Sequence, residues 1–414
     1  MSDSITDYNI DKGLGSKKIN EYMDHFYKEK NKPKPVVKIY SEFPMTFYGG
    51  GERLIIKIYK YFTSHSVHAN IVDNYAKNSE ERIVKEDLLK EIGPDLISTA
   101  FRRYGFPRFL YQEFPELEDL IIPSSDVSLI FARRIPPRRI LHSLNKSNNH
   151  FVFCLHGIAL EKLRLTDVRI IAHQIMIRLQ LRYFSPYVKK NIYVQCLTPL
   201  IASYLTKNGS SRMNMFIIEN EFRNELIELK ENSDYFRVIF VGRMQNLTKG
   251  IKFLRKVIRL TNILEPGIKF VVIGNGPDLK VLDSVRDIAV ILGNVDDKQK
   301  ESAMQSSSLA IITSHLEPFP RVAQEFLTAG IPVVTTPASG PAYILSKNPV
   351  FGKVSSFNPR LFSRDIIAYY DAWKKDKEKY YNLRKEIARV ASNMFHEESM
   401  LESYLNMILE IGSK

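Results

Sequence analysis

The sequence predicts an α/β protein made of two doubly wound domains in tandem, each a mostly parallel sheet with helices on both faces. Three observations lead there. At 414 residues the chain is two to three times the usual domain size, so one shared core is not expected. Short β-branched and aromatic runs alternate with helical patterns over the first half, which is how parallel sheets are built. That alternation pauses over a charged stretch at 223–236 and then restarts.

Taken in order, residues 1–32 are polar and lysine-rich, with Ile19, Tyr22, Met23 and Phe26 at helical spacing, and predict one amphipathic helix on the body. Pro33 and Pro35 end it. The first domain, 33–225, then carries the strand candidates VVKIYS (36–41), VHANIV (67–72), DVSLIFA (126–132), HFVFCLHG (150–157), NIYVQCLT (191–198) and NMFIIEN (214–220). Stretch 223–236 is either a linker or one more surface helix. The second domain, 233–390, repeats the pattern with RVIFVG (237–242), IKFVVIG (268–274), DIAVILG (287–293), SLAIITS (308–314) and IPVVTT (331–336). Leu401, Tyr404, Leu405, Ile408 and Ile411 predict a last amphipathic helix within 396–414, ending at Gly412 and joined to the first domain. Doubly wound sheets bind ligands at the carboxyl ends of their strands, so a cleft between the two domains is the expected site.

Hydrophobic residues at 44% and charged residues at 25% describe an ordinary globular protein. With 59 Lys and Arg against 46 Asp and Glu the formal net charge is +13, which points to an anionic partner: nucleotide, nucleic acid or lipid headgroup. A nucleic-acid partner is argued against by the lack of an aromatic–basic RNA signature. No apolar run approaches the roughly 20 residues of a membrane-spanning helix, and the first residues have no signal-peptide core. The expected location is cytoplasmic, at most peripheral at the cytoplasmic membrane face. Cys154 and Cys196 sit in apolar strand runs and read as packed thiols in a reducing compartment.

The richest stretch is SHLEPFPRVAQEFLTAGIPVV (314–334). A strand ends, a loop carries Glu317, and a helix runs from Pro320 to Gly330 with Glu325 one turn inside it. Two carboxylates beside a helix N-terminus could accept hydrogen bonds from ribose and sugar hydroxyls, with a phosphate seated on the free N–H groups. Alternatively Glu317 complements the helix dipole and Glu325 is a solvated helix position. VGRMQNLTKG (241–250) has the same layout, and Gly242, Arg243 and Lys249 on one loop suit a diphosphate; the alternative is two ordinary surface cations. VVIGNGP (271–277) reads as turn chemistry, whereas backbone groups near Val295 in ILGNVDD could read a nucleobase edge. YGGGER (48–53) offers Gly49, Gly50 and Gly51 either for close approach to an anion or as a plain turn. His156, at a strand tip, is by itself more simply a structural histidine than a catalytic one.

The run FVGRMQNLTKG, VVIGNGP, LGNVDD, SHLEPFPRVAQE, AGIPVVTT and SGP, in register over roughly 236–345, resembles the retaining glycosyltransferases of family four. FYGGGERL, VHANIV, CLHG and IIEN extend the resemblance into the first half. It implies two Rossmann-like domains facing across a cleft, the type B fold, and a nucleoside diphosphate sugar as donor. It further implies that Arg243 and Lys249 hold the diphosphate, that Glu325 binds the ribose, and that Glu317 contacts the transferred sugar. Val295, Phe319 and Arg321 would complete the donor side, and His156 with Gly50 and Gly51 would close from the first domain. Pro320 departs from a usual Gly and removes one N–H, and Ala342 and Tyr343 stand near a usual Glu. No Asp-x-Asp pair sits at a strand end, so no obligatory metal and no cofactor beyond the donor is expected.

Between residues 100 and 190 Lys and Arg outnumber Asp and Glu about two to one. Within that span FRRYGFPRFLY (101–111), ARRIPPRRI (132–140) and RIIAHQIMIRLQLRYF (169–184) mix Arg with apolar residues as interfacial segments do. The expected partners are thus a nucleotide-sugar donor, a glycan or lipid-linked acceptor and an anionic membrane surface. The competing readings are a nucleotide-sugar-binding protein without catalysis, and an epimerase or phosphorylase on the same fold.

Overall fold

The computed structural model describes residues 33–41, 50–72, 126–131, 135–162, 168–221 and 234–414. The predicted N-terminal helix, segment 101–111, Arg133, Arg134, Gly49 and most of 223–236 lie outside the described residues.

The chain divides into two compact units. The described strands of the first are β1 (Val37–Ser41), β2 (Ala69–Val72), β3 (Val127–Phe131), β4 (His150–Cys154), β5 (Ile192–Cys196) and β6 (Met215–Ile217). They form one sheet in the order β2-β1-β3-β4-β5-β6, and every adjacent pair is parallel. Helices α1 (Gly50–Ser64), α2 (Arg138–Leu144) and α4 (Pro199–Lys207) accompany these strands, as does α3 (Val168–Phe184) from Met176 onward. β3, β4 and β5 bear almost wholly buried runs, because a sheet packed on both faces leaves no polar side to alternate with. Tyr59 and Phe62 of α1, Leu129 of β3, and Tyr404, Ile408 and Ile411 of the last helix share one core. Cys154 and Cys196 are buried free thiols, and burial pushes the Cys196 thiol up to about 12, which keeps it inert.

The second unit comprises Asn220–Glu397 together with Ala159–Ile175. Its strands are β7 (Arg237–Val241), β8 (Lys269–Ile273), β9 (Ala289–Gly293), β10 (Leu309–Ile312), β11 (Val333–Thr335) and β12 (Gly352–Val354), again all parallel. The order is β12-β11-β10-β7-β8-β9. Between them run α5 (Asn246–Lys249), α6 (Ile251–Leu264), α7 (Asp297–Gln305), α8 (Arg321–Thr328) and α9 (Ser339–Ser346). α10 (Pro359–Lys375) and α11 (Lys377–Met394) follow, and α12 (Glu397–Gly412) closes the chain. α6 buries Phe253, Leu254, Val257 and Ile258, the apolar side its spacing announces, against Val238, Phe240 and Phe270.

In this second sheet the chain order turns back between β7 and β10. That is the topological switch point, where connections leave the carboxyl ends in opposite directions and open a crevice for ligand.

One expectation is corrected. Gly50 and Gly51 do not form a loop: they are the first two residues of α1. The free N–H groups of a first helical turn cost glycine little there, and a Cβ on Gly51 would meet nothing within 4 Å.

Candidate functional site

The residues that could hold a nucleotide gather at the carboxyl ends of β7 and β10. After β7 the chain passes Gly242 and Arg243 and makes the single turn α5, which ends at Gly250 in the left-handed region, φ 67°. A Cβ on Gly250 would lie 2.2 Å from Thr313 O, so only glycine lets α5 press against the end of β10. His315 N donates to Thr248 O at 2.7 Å, and Thr313 Oγ1 to Lys249 O at 2.8 Å. These bonds fix Lys249 beside the loop that carries Glu317.

Lys249 Nζ forms an ion pair with Glu317 Oε2, and Ser314 Oγ donates to the same carboxylate oxygen at 3.0 Å. Glu317 is 9% exposed, which explains why it needs both partners. Arg243 is exposed, and its side chain has no protein partner among the described residues. It is a guanidinium free to take a phosphate.

Glu325 lies on α8 as expected, and Lys300 of α7 reaches it at 3.2 Å. Lys300 and Glu325 stand on different helices, 25 residues apart, and no motif spacing links the two. Val295 sits between Gly293, φ 68°, and the Asp296 cap of α7. Phe319 is buried with its ring 6.4 Å from Tyr343, so the ring serves packing. Arg321 opens α8, with Pro320 as its N-cap.

Gly274 and Gly276 do the turn work expected of them. A Cβ on Gly274 would come within 2.0 Å of Gly242 O, and Met244 N donates to Asn275 O at 2.9 Å. The β8 loop thus supports the β7 loop.

Glu161 lies outside every motif of the sequence. Glu161, 3% exposed, accepts from Ser339 N and Ser339 Oγ at the N-terminus of α9, where a carboxylate is favoured. Gly340 brings that same helix start against the site: a Cβ there would lie 2.4 Å from Glu317 O. The SGP signature placed Gly340 near the site, but nothing in sequence connects Glu161 to it.

His156, in the first unit, is held by its neighbours. Gln195 Nε2 donates to Ile218 O, which leaves Gln195 Oε1 facing His156 Nε2 at 2.9 Å, with Tyr404 OH also 2.9 Å away. Burial lowers the imidazole to about 4, against a smaller opposite effect of the Gln195 bond. The ring is neutral near pH 7, so it can offer a hydrogen bond but no positive charge to a phosphate.

Residues 221–388, which carry Arg243, Lys249, Glu317 and Glu325, match the family model described as glycosyl transferases group 1. A GDP-mannose-dependent alpha-mannosyltransferase of Mycobacterium tuberculosis (strain CDC 1551 / Oshkosh) is 29% identical over 126 residues, 30% of this chain and 32% of that protein. The chain spans less than half the length of the curated relatives it matches. The structure of Anabaena HepE in complex with UDP and glucose is similar at a TM-score of 0.62 and 16% identity, over 89% of this chain and 98% of that one. A glycosyltransferase from Rickettsia africae is similar at 0.67 and 16% identity, over 91% and 98%. The fold is that of a type B glycosyltransferase with two Rossmann-like domains.

Proposed function

We propose that this protein is a glycosyltransferase that moves a hexose-type sugar from a nucleoside diphosphate sugar to an acceptor hydroxyl. The observation that carries the reading is the placement of Lys249, Glu317, Arg243 and Glu325 at the β7/β10 switch point, inside the span matched by the family model. The bond between the anomeric carbon and the β-phosphate oxygen breaks, and its electron pair leaves with the nucleoside diphosphate. Arg243 and Lys249 hold the charge that develops there. The acceptor oxygen bonds the anomeric carbon, and its proton passes to the departing phosphate. Glu325 accepts from the ribose hydroxyls and Glu317 from the sugar.

Retention of configuration follows from the likeness to family-four motifs. The two cations take the role a metal would have at the diphosphate, so the reaction proceeds without an obligatory divalent ion. The acceptor is a glycan or lipid-linked molecule at the cytoplasmic face of a membrane, a reading supported by the basic 100–190 span. Among the described residues no helix is long and apolar enough to cross a membrane.

A thermal-shift panel of nucleoside diphosphates and their sugars tests the donor. A ligand at 100 times its dissociation constant adds about 2.7 kcal/mol of stability. Sugar transfer is then read as acceptor-dependent release of nucleoside diphosphate, with and without EDTA. Binding without release would make the protein a nucleotide-sugar receptor. No shift with any nucleotide would overturn the reading.

A further inference from the structure

The first unit has a concave region at the opposite end of its sheet from His156. The turn before β4 and the turn before β5 meet the last turn of α3, enclosing a cavity of about 900 Å³. Arg138, His142, Lys146, Arg182, Lys189 and Lys190 line it, and no Asp or Glu does. Their side chains have no carboxylate partner among the described residues. Arg138 instead lies over the Tyr183 ring at 5.7 Å. The nearby Asp126 carboxylate is engaged by Val36 N at 2.9 Å.

The cavity is held open by structure. Tyr183 OH donates to Pro136 O at 2.7 Å and ties the end of α3 to the start of α2. Lys190 takes a left-handed conformation, φ 54°, and Asn214 Nδ2 donates to its carbonyl at 3.1 Å. Five full positive charges held close together without counter-ions repel one another, and that cost is recovered only when an anion arrives. Because β4 and β5 are five residues each, the cavity is roughly 16 Å from their carboxyl ends, too far to serve a ligand there.

Its rim is apolar. Leu179, which lines it, is 60% exposed, and Met176 is 48% exposed one turn earlier on α3. Met213, 55% exposed, follows exposed Arg212 beside the Asn214 contact. Exposed apolar side chains around a basic hollow fit a phosphate that carries hydrocarbon, more than a bare anion.

We propose that this cavity is a second anion site, which seats the phosphate headgroup of an anionic lipid with Leu179 and Met176 against the acyl region. It gives the membrane part of the functional reading a specific location and is independent of sugar transfer.

The test compares the parent with the triple variant Arg182→Gln, Lys189→Gln, Lys190→Gln. A control, Lys374→Gln, Lys375→Gln, Lys377→Gln, removes the same charge elsewhere. Flotation uses vesicles of phosphatidylglycerol in phosphatidylcholine, and a parallel titration uses soluble tripolyphosphate. Each basic residue near an anionic surface contributes about fivefold, so the cavity variant should lose on the order of 100-fold in vesicle binding while the control stays near the parent. High salt should release the parent. Equal loss in both variants, or no parent binding at low salt, would overturn the proposal. Tripolyphosphate bound through the cavity without vesicle binding would replace the lipid by a soluble phosphate. Nucleoside diphosphate binding, measured on the same variants, should match the parent whichever vesicle result is obtained.

Discussion

Lys300 Nζ of α7 lies 3.2 Å from Glu325 Oε2 of α8, so the carboxylate assigned to the donor ribose is held by a cation from a neighbouring helix. The pair is partly shielded, Lys300 25% and Glu325 13% exposed at their side chains. A carboxylate with a single cation partner keeps lone pairs for hydroxyl donors, which the ribose role requires.

Glu325→Ala should therefore weaken binding of the bare nucleoside diphosphate by roughly 10- to 100-fold, the worth of a hydrogen bond to a charged group. Lys300→Ala should cost only a few-fold, because it orients the carboxylate without touching the ligand. Calorimetry with nucleotide alone measures both. Parent-like binding by Glu325→Ala would return this residue to a structural role.

The two cations should separate in stability though not in activity. Arg243→Ala and Lys249→Ala should each lower kcat/KM by about 2–4 kcal/mol of transition-state stabilisation, roughly 30- to 1000-fold. Arg243 is exposed and unpartnered, so its loss should leave the melting temperature unchanged. Lys249 neutralises nearly buried Glu317, so its removal should lower the melting temperature as well. Turnover within threefold of the parent for both variants would refute the diphosphate assignment.

Why some of this was readable in advance is a matter of range. The strands, the helix from Arg321 and the placement of Arg243, Lys249, Glu317 and Glu325 rest on local periodicity and on spacing within one loop, which sequence carries directly. The strand order and the β7/β10 switch point are decided by pairing between distant segments. So are the partners Lys300 and Glu161, which come from elements that no motif connects to the site. At Gly50 three glycines signal a turn, while the apolar spacing from Leu54 onward extends the helix back over two of them.

Glu317→Ala should behave unlike Glu325→Ala. Its proposed partner is the sugar, so nucleoside diphosphate affinity should stay within about threefold while turnover falls roughly 100-fold or more. Glu317→Gln should recover stability better than activity, since the amide still accepts from Ser314 but no longer balances Lys249. A parallel loss of nucleotide affinity in both variants would merge the two carboxylates into one subsite.

Gly250→Ala tests whether backbone contact positions Lys249. The new Cβ would meet Thr313 O at 2.2 Å, in a left-handed conformation that alanine disfavours, so α5 must shift away from β10. Denaturant unfolding should show a loss of about 1–3 kcal/mol, with donor turnover falling beside it. Gly51→Ala, where nothing lies within 4 Å, is the matched control and should leave stability unchanged or slightly improved.

The pH dependence of stability should report His156. Its folded-state value of about 4 lies below the ordinary 6.5, because burial opposes the imidazolium. The unfolded chain takes up a proton as pH falls through 6.5, whereas the folded chain does so only near 4. The stabilisation is therefore complete above pH 6.5, is lost progressively down to about pH 4, and changes no further below that. The loss amounts to about 3 kcal/mol, and His150 and His173, both lowered by burial, act in the same direction. In His156→Gln, where the amide can still bond Gln195 and Tyr404, the slope across that window should fall by up to about 1.4 kcal/mol per pH unit. Urea midpoints taken from pH 7 to pH 4 measure it. A slope identical to the parent's would mean that His156 titrates normally and is free to present a charge to the donor phosphate.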